Sequence, residues 1–224
     1  MPYTTTKSAF WAGFRDSAPF IIVAAPFAVL FGLLATEAGL NVFETLAFSV
    51  VVIAGAAQFT ALQLMEDGAP TLIVLTSALA VNLRMAMYSA SITPHLGAVP
   101  FWRRAIAAYF LVDQTYAVSI AKFEDDPKMT VPHKLAYFFG TVTPICPMWY
   151  LFTLVGALAG NQIPNTLALD FVLPLAFLAL IAPMLRTPAH IAAASTAIIT
   201  SLLTAWLPYN LGLIVGGLAG MMAG

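Results

Sequence analysis

The stretch that decides the fold is APTLIVLTSALAVNLRMAMYSAS, residues 69–91, where one charged residue, Arg84, interrupts an otherwise apolar run. The next run, residues 104–121, reads RAIAAYFLVDQTYAVSIA and carries Asp113 in its interior. A charge near the bilayer centre costs at least about 2.5–3.5 kcal/mol on insertion scales, so such residues usually face a bundle interior and pair. Two opposite charges on adjacent hydrophobic runs therefore predict a polar site within a membrane.

The composition of the chain is typical of a polytopic membrane protein. It is 61% hydrophobic and only 8% charged, whereas a typical globular domain carries about 25% charged residues. The net charge of −1 lacks the basic excess of a nucleic-acid binder. The single Cys146 leaves no pair for an intrachain disulfide and no thiolate cluster for a metal. We predict one transmembrane transporter domain over residues 1–224, with a short polar N-terminal tail at 1–12 and no cofactor.

Apolar runs of about the length of a spanning helix follow one another along the chain. They lack the alternation of a β-barrel strand, so they indicate helices. The sequence therefore predicts an all-α bundle of seven to eight hydrophobic segments in a lipid bilayer. The runs are residues 18–38, 43–65, 69–91, 104–122, 134–159, 166–185, 189–206 and 208–223.

Proline and glycine are expected to interrupt several of these helices. Together they resemble the discontinuous helices of secondary transporters, in which freed backbone groups line a cavity. For the glycines of the last run, close helix packing is the alternative. The positions are Pro19, Pro26, Gly55, Pro144, Pro147, Pro174, Pro183, Gly212, Gly216, Gly217 and Gly220.

Basic residues in short loops predict the orientation, because cytoplasmic loops carry an excess of lysine and arginine. If every run spans and the N-terminus is cytoplasmic, six basic residues fall inside and two outside. The inner ones are then Lys7, Arg15, Lys122, Lys128, Lys134 and Arg186, and the outer ones Arg103 and Arg104. If the second run is re-entrant, the count is a tie. We favour a cytoplasmic N-terminus.

The residues that can carry function cluster around the two charges. Asn82, Arg84 and Tyr88 lie on one run, and Asp113 and Gln114 on the next. At a rise of about 1.5 Å per residue, Arg84 and Asp113 lie at similar distances from the connection, so an antiparallel hairpin would join them. Arg84 or a half-helix N-terminus can bind the carboxylate of a zwitterion. The alternative is a structural ion pair that only holds the hairpin together.

Gln58 stands in the small-residue stretch beside Gly55 and is the remaining candidate. Its amide either faces the solute, together with Asp113 as a partner for an ammonium group, or satisfies the backbone of an interrupted helix. His95, His133 and His190 lie far apart with no metal-ligand spacing, so no metal site is expected. The chain contains no HExxH, GxSxG or P-loop motif, and we do not expect an enzyme.

Several motifs, in their order and spacing, resemble those of the AzlC family. They are Gly55-Ala56-Ala57-Gln58-Phe59, Asn82-Leu83-Arg84, Tyr88 with Ser91 and Pro94, Asp113-Gln114-Thr115-Tyr116 and Asp170-Phe171-Val172-Leu173-Pro174. The resemblance implies the large subunit of a branched-chain amino-acid exporter in the bacterial inner membrane. It implies export of valine, leucine, isoleucine and methionine by a proton-driven secondary transporter that works with a small AzlD-type subunit.

Carried onto this chain, the family's motif positions are Gln58, Asn82, Arg84 and Asp113. One position departs from the family, which often has glutamate where this chain has Gln114. Two other functions stay open at this point. The chain can be a non-transporting scaffold whose charges only bind a partner helix, or an exporter of another small apolar solute.

Overall fold

The computed structural model describes residues 5–160, 185, 187–208 and 211–224, and the regular structure within them is helical. The helices are α1 (Thr6–Ser17), α2 (Ile21–Glu37), α3 (Val42–Val51), α4 (Gly55–Glu66), α5 (Thr71–Leu96), α6 (Phe101–Tyr109), α7 (Asp113–Asp125), α8 (Val131–Gly160), α9 (Pro188–Leu203) and α10 (Leu211–Ala223). The all-α prediction is confirmed for these residues. The predictions for Asp170, Pro174, Pro183 and Arg186 lie outside them.

The helices form two compact units, and both charges of the predicted site lie in the first. The first unit comprises Met1–Gln58 and Val81–Gln162, and the second Phe59–Ala80 and Ile163–Gly224. In the second unit α9 and α10 pack closely. A Cβ atom at Gly220 would lie 2.9 Å from the Cβ of Ala197. Close packing is thus confirmed for this glycine of the last run.

Three helical segments within the described residues are long and apolar enough to cross a membrane: Thr6–Glu37, Thr71–Leu96 and Val131–Gly160. The first contains the 3-10 turn Ala18–Phe20, where Pro19 locally tightens the helix. Pro26, Pro144 and Pro147 lie inside continuous helices, and the interruptions expected at these prolines are wrong. Membrane helices tolerate proline where neighbouring helices and hydroxyl side chains satisfy the freed backbone groups.

The α1–α2 segment packs along α8 with the two backbones in direct contact. A Cβ atom at Gly13 would meet the carbonyl oxygen of Tyr137, and one at Gly140 would meet that of Phe10. The same reciprocal contact recurs between α2 and α8, and the glycines concerned are Gly32 and Gly156. Small residues on both helices therefore allow a close approach that any larger side chain would prevent.

The chain turns back on itself between α3 and α4. The amide Nε2 of Gln58 donates to the hydroxyl of Ser49 at 2.9 Å, although the two residues are nine apart. In a continuous helix that separation would be about 13 Å. The non-helical residues 52–54 provide the turn, and they confirm the predicted interruption beside Gly55.

A second turn separates α6 from α7, and here the sequence-based prediction is wrong. The run 104–122 was expected to form one spanning helix, antiparallel to the one before it. Instead, α5 and α7 run in the same direction, because Arg84 contacts Asp113 and, further along both helices, His95 lies 5.4 Å from the Phe123 ring. The α6–α7 segment is thus a hairpin whose tip lies at residues 110–112.

Thr115 explains why this tip forms without proline or glycine. Its hydroxyl oxygen accepts a hydrogen bond from the Val112 amide at 3.0 Å. The same hydroxyl lies within donating distance of the carbonyl oxygen of Phe110, at 2.8 Å. One buried side chain therefore satisfies backbone groups on both sides of the turn, as interrupted helices in a membrane require.

The hairpin also changes the predicted distribution of basic residues. The ammonium of Lys134, early in α8, lies 3.0 Å from His95 Nδ1 near the end of α5. Thr6, Arg103 and Pro132 line a common groove, so the starts of α1, α6 and α8 lie together. The prediction that Arg103 and Arg104 lie on the other side of the membrane from the start of α8 is therefore wrong. The basic ends cluster on one side, as expected for the cytoplasmic side.

Cysteine labelling can check this arrangement. In a Cys146→Ser background, Lys7→Cys, Arg103→Cys and Lys128→Cys are expected to react with a membrane-impermeant maleimide only after cells are permeabilised. Glu37→Cys, at the far end of α2, is expected to react in intact cells. Opposite accessibility of Arg103→Cys and Lys128→Cys would contradict the hairpin.

Candidate functional site

An ion pair between α5 and the tip of the α6–α7 hairpin forms the centre of the site. Arg84 Nη2 and Asp113 Oδ2 lie 3.1 Å apart, and their side chains are 32% and 40% exposed. Arg84 Nε and Asp113 Oδ1 are buried atoms with no hydrogen bond to the described part of the chain. Each partner thus has a polar atom that the described residues leave unsatisfied.

The helix end at Asp113 adds a second anion-binding element. Asp113 is the first residue of α7, and the residue before it, Val112, has extended backbone with φ −96° and ψ 169° and makes no side-chain cap. The first amide groups of a helix lack intrahelical acceptors and carry partial positive charge. The site therefore offers Arg84 and α7 amides to a carboxylate, and Asp113 to an ammonium group.

Aromatic residues form the next layer of contacts between α5 and α7. The rings of Tyr88 and Tyr116 are stacked, with centroids 4.2 Å apart and an interplanar angle of 9°. The Tyr116 hydroxyl donates to the Ser91 hydroxyl at 2.8 Å, and Tyr88 lies beside the Asp113 carboxylate. These contacts fix the hairpin tip against α5 next to the ion pair.

A row of buried polar side chains lies beside the other turn. The amide of Gln58 donates to Ser49, and the Ser49 hydroxyl is 3.3 Å from that of Thr153 on α8. All three side chains are fully buried. Gln58 Oε1 and the nearby Trp149 Nε1 are buried atoms for which residues 5–160 supply no hydrogen-bond partner. A Cβ atom at Gly55 would lie 2.9 Å from the Trp149 ring.

Tyr109 links the two turns. It is the last residue of α6, and its hydroxyl donates to the carbonyl oxygen of Val50 near the end of α3 at 2.6 Å. The same hydroxyl lies 3.0 Å from that of Tyr150 on α8. Both interrupted helices therefore meet in one region of the first unit.

The structure brings some of the predicted site residues together and leaves others apart. Arg84, Tyr88 and Asp113 form one cluster. Asn82 precedes it on α5 and has a buried Oδ1 with no hydrogen bond to any described residue. Gln114 follows Asp113 in the first turn of α7 and is half-buried. Gln58 belongs to the row at the other turn.

Sequence reasoning missed Tyr109 and the partners of Gln58. Ser49 and Thr153 carry no signal in the sequence, because hydroxyl residues are common in membrane helices and usually bond within their own helix. Their contact joins residues 104 apart. Tyr109 resembles an ordinary aromatic residue of an apolar run until the turn after it is known.

Within the described ranges, no group of three or more histidine, cysteine, aspartate or glutamate side chains is placed to hold a metal ion. The ion pair provides one positive and one negative group, and each side chain has one polar atom without a partner among the described residues.

The chain is similar in sequence to known membrane proteins. The sequence matches the family described as AzlC protein over residues 19–163. It is 26% identical to the inner membrane protein YgaZ of Escherichia coli strain K12, with 77% of this chain and 71% of YgaZ aligned. It is 29% identical to an uncharacterized membrane protein of Archaeoglobus fulgidus, with 82% of this chain and 80% of that protein aligned. No solved structure matches the chain. The family match includes both turns and all of α8, and the chain belongs to the AzlC family of membrane proteins.

Proposed function

We propose that this protein is the solute-carrying subunit of a secondary transporter that exports branched-chain amino acids across the bacterial inner membrane. The observation that carries the proposal is the Arg84–Asp113 pair at a hairpin tip, with one unpartnered atom on each side chain. Intramembrane charges usually mark solute or ion pathways. The substrate carboxylate binds Arg84 and the α7 amides, and its ammonium group binds Asp113.

The apolar surroundings give this site a broad preference among aliphatic side chains. An added methylene group in an apolar pocket changes binding by only about 1–3 kcal/mol. Valine, leucine, isoleucine and methionine are therefore all substrates in this proposal, with modest differences between them. The unrelated possibility of another small apolar solute is an outcome of the transport test below.

We assign proton coupling to Asp113. Protonation of its carboxylate removes the charge that holds the substrate ammonium, so proton entry from outside favours substrate release to that side. Arg84 then re-forms the ion pair when the proton leaves to the cytoplasm. Gln114 occupies the position where the family often has glutamate, and its amide does not exchange protons in this way.

A small AzlD-type subunit is the proposed partner, and the exposure of α5 supports its presence. Only 11% of the most apolar stretch of α5 is buried, against 39% for the corresponding stretches of α1–α2 and of α8. A stripe of large apolar side chains along it is exposed, namely Leu72, Leu75, Leu79, Leu83 and Met87. A partly exposed ion pair beside such a stripe is costly in lipid. A partner helix over α5 would shield it.

The competing function is a scaffold in which the pair serves only assembly, and the closed 3.1 Å contact between Arg84 and Asp113 favours it. A transport assay distinguishes the scaffold function from the export function. Cells that lack their own exporters are loaded with a valine- or leucine-containing dipeptide, and efflux of the free amino acid is followed with this chain alone and with its small subunit. Export predicts severalfold faster efflux with both subunits. Unchanged efflux with both proteins in the membrane would overturn the proposal.

A further inference from the structure

The polar row beside the first turn has no role in the proposed amino-acid site. Ser49, Gln58 and Thr153 are fully buried and offer neutral oxygen atoms without an acidic or basic side chain. Burying such groups is costly unless they are bonded. The row therefore needs a reason beyond packing.

The bonding within the row is incomplete at Gln58. Its Nε2 donates to Ser49, but Oε1 is buried and accepts no hydrogen bond from the described chain. A half-turn of this amide exchanges oxygen and nitrogen, and it brings Oε1 to the position 2.9 Å from the Ser49 hydroxyl. That rotation breaks the hydrogen bond from Nε2 to Ser49.

The end of α3 places further oxygen atoms at the same turn. The last carbonyl groups of a helix have no intrahelical donor and carry partial negative charge. The Tyr109 hydroxyl donates a hydrogen bond to one of these carbonyls, that of Val50. The turn at residues 52–54 leaves other carbonyls of this helix end without a helical donor. Such freed carbonyls and helix C-termini hold cations in transporters with interrupted helices.

The spacing of the oxygen atoms fits a small cation. Ligands about 2.3–2.6 Å from a cation of this size, as for calcium, lie roughly 3.3–3.7 Å apart when they subtend a right angle. The hydroxyls of Ser49 and Thr153 are 3.3 Å apart. When both coordinate, each can donate its proton to the carbonyl one turn earlier in its own helix. Calcium and magnesium are bound through carboxylates, which this row lacks.

We propose that Ser49, Gln58 and Thr153, together with carbonyl oxygens at the end of α3, form a binding site for Na⁺. The cation supplies the missing partner of the Gln58 oxygen and offsets the negative end of α3. A single buried water is the competing occupant, since it too would bond to these groups. The proposal concerns cation binding and does not depend on which solute the protein exports.

Thermal unfolding of the purified protein in detergent tests the site. Unfolding is followed in sodium, potassium and choline chloride at equal ionic strength. A ligand that binds only the folded state raises Tm, by roughly 3–6 °C when free Na⁺ is about ten times its Kd. We expect a saturable rise with Na⁺ that K⁺ and choline do not reproduce, and saturable binding of radioactive sodium to the same preparation.

Matched variants assign that binding to the row. Thr153→Val keeps the shape of the side chain but removes its oxygen, and it is expected to abolish the Na⁺-dependent rise, whereas Thr153→Ser retains it. Gln58→Leu is expected to abolish it as well. Gln63→Leu, an exposed glutamine on the same helix, is expected to behave like the wild type.

Equal Tm values for wild-type protein in the three salts, without saturable sodium binding, would overturn the site and leave water as the occupant. An equal response to K⁺ would also contradict it. Because wild-type binding is measured directly, a variant that fails to fold does not obscure the result. Amino-acid efflux is a separate measurement, so the failure of one proposal is distinguishable from the failure of the other.

Discussion

Asp113→Asn is expected to reduce branched-chain amino-acid efflux at least about thirtyfold, while the protein reaches the membrane in wild-type amounts. Removing one partner of this partly exposed pair leaves the other charge unpaired within the membrane, which costs at least about 2.5 kcal/mol, and each 1.4 kcal/mol corresponds to a factor of ten. The asparagine keeps the size of the side chain but loses the charge that binds the substrate ammonium and takes up the proton. Efflux from dipeptide-loaded cells measures the loss, with immunoblots of membranes for protein amount.

Asp125→Asn provides the matched control on the same helix. Asp125 forms an exposed pair with Lys122, and its side chain is 77% exposed, so this variant is expected to export normally. Arg84→Ala is expected to lose export like Asp113→Asn. Wild-type efflux from Asp113→Asn or Arg84→Ala would remove the pair from the pathway. If the pair were only structural, the double variant Arg84→Ala/Asp113→Ala would regain both assembly and export.

Gly156→Ala is expected to lower Tm by roughly 2–12 °C or to prevent assembly altogether. Its added methyl group would meet the carbonyl oxygen of Val29, and a helix backbone cannot move aside as a flexible side chain can. Overpacking of this kind costs about 1–3 kcal/mol or more, and each kcal/mol shifts Tm by about 2–4 °C in a chain of this size. Thermal unfolding in detergent, followed by size-exclusion chromatography, measures the change.

Gly217→Ala makes the same substitution where a Cβ atom has no neighbour within 4 Å. It is expected to leave Tm unchanged or to raise it slightly, since alanine favours helix over glycine. Equal Tm values for Gly156→Ala and Gly217→Ala would contradict the close contact between α2 and α8.

The sequence predicted the parts of the fold that depend on local composition. Long apolar runs indicated helices, and the isolated charges Arg84 and Asp113 indicated their contact. The stretch around Gly55 correctly marked an interruption, because small residues there weaken the helix. Those predictions need only the cost of placing polar groups in hydrocarbon.

The rest depends on contacts between distant residues. The turn at residues 110–112 has neither proline nor glycine, and Thr115 stabilises it through bonds that only the folded chain reveals. Conversely, Pro144 and Pro147 lie within a continuous helix, because neighbouring groups can satisfy the carbonyls that proline leaves free. The direction of α7 relative to α5 follows from the turn at residues 110–112, and hydropathy alone does not predict that direction.

The close contact of α1–α2 with α8 also constrains the order of biosynthesis. The Asp16 carboxylate accepts a hydrogen bond from the Tyr137 hydroxyl, and Ser17 bonds to the carbonyl of Thr141, across separations of 121 and 124 residues. A ribosome releases α1 and α2 long before it synthesises α8. Until then the Ser17 hydroxyl can bond only to carbonyls of its own helix, such as that of Gly13, and the Asp16 carboxylate only to its neighbour Arg15. Folding of the first unit is complete only when α8 arrives.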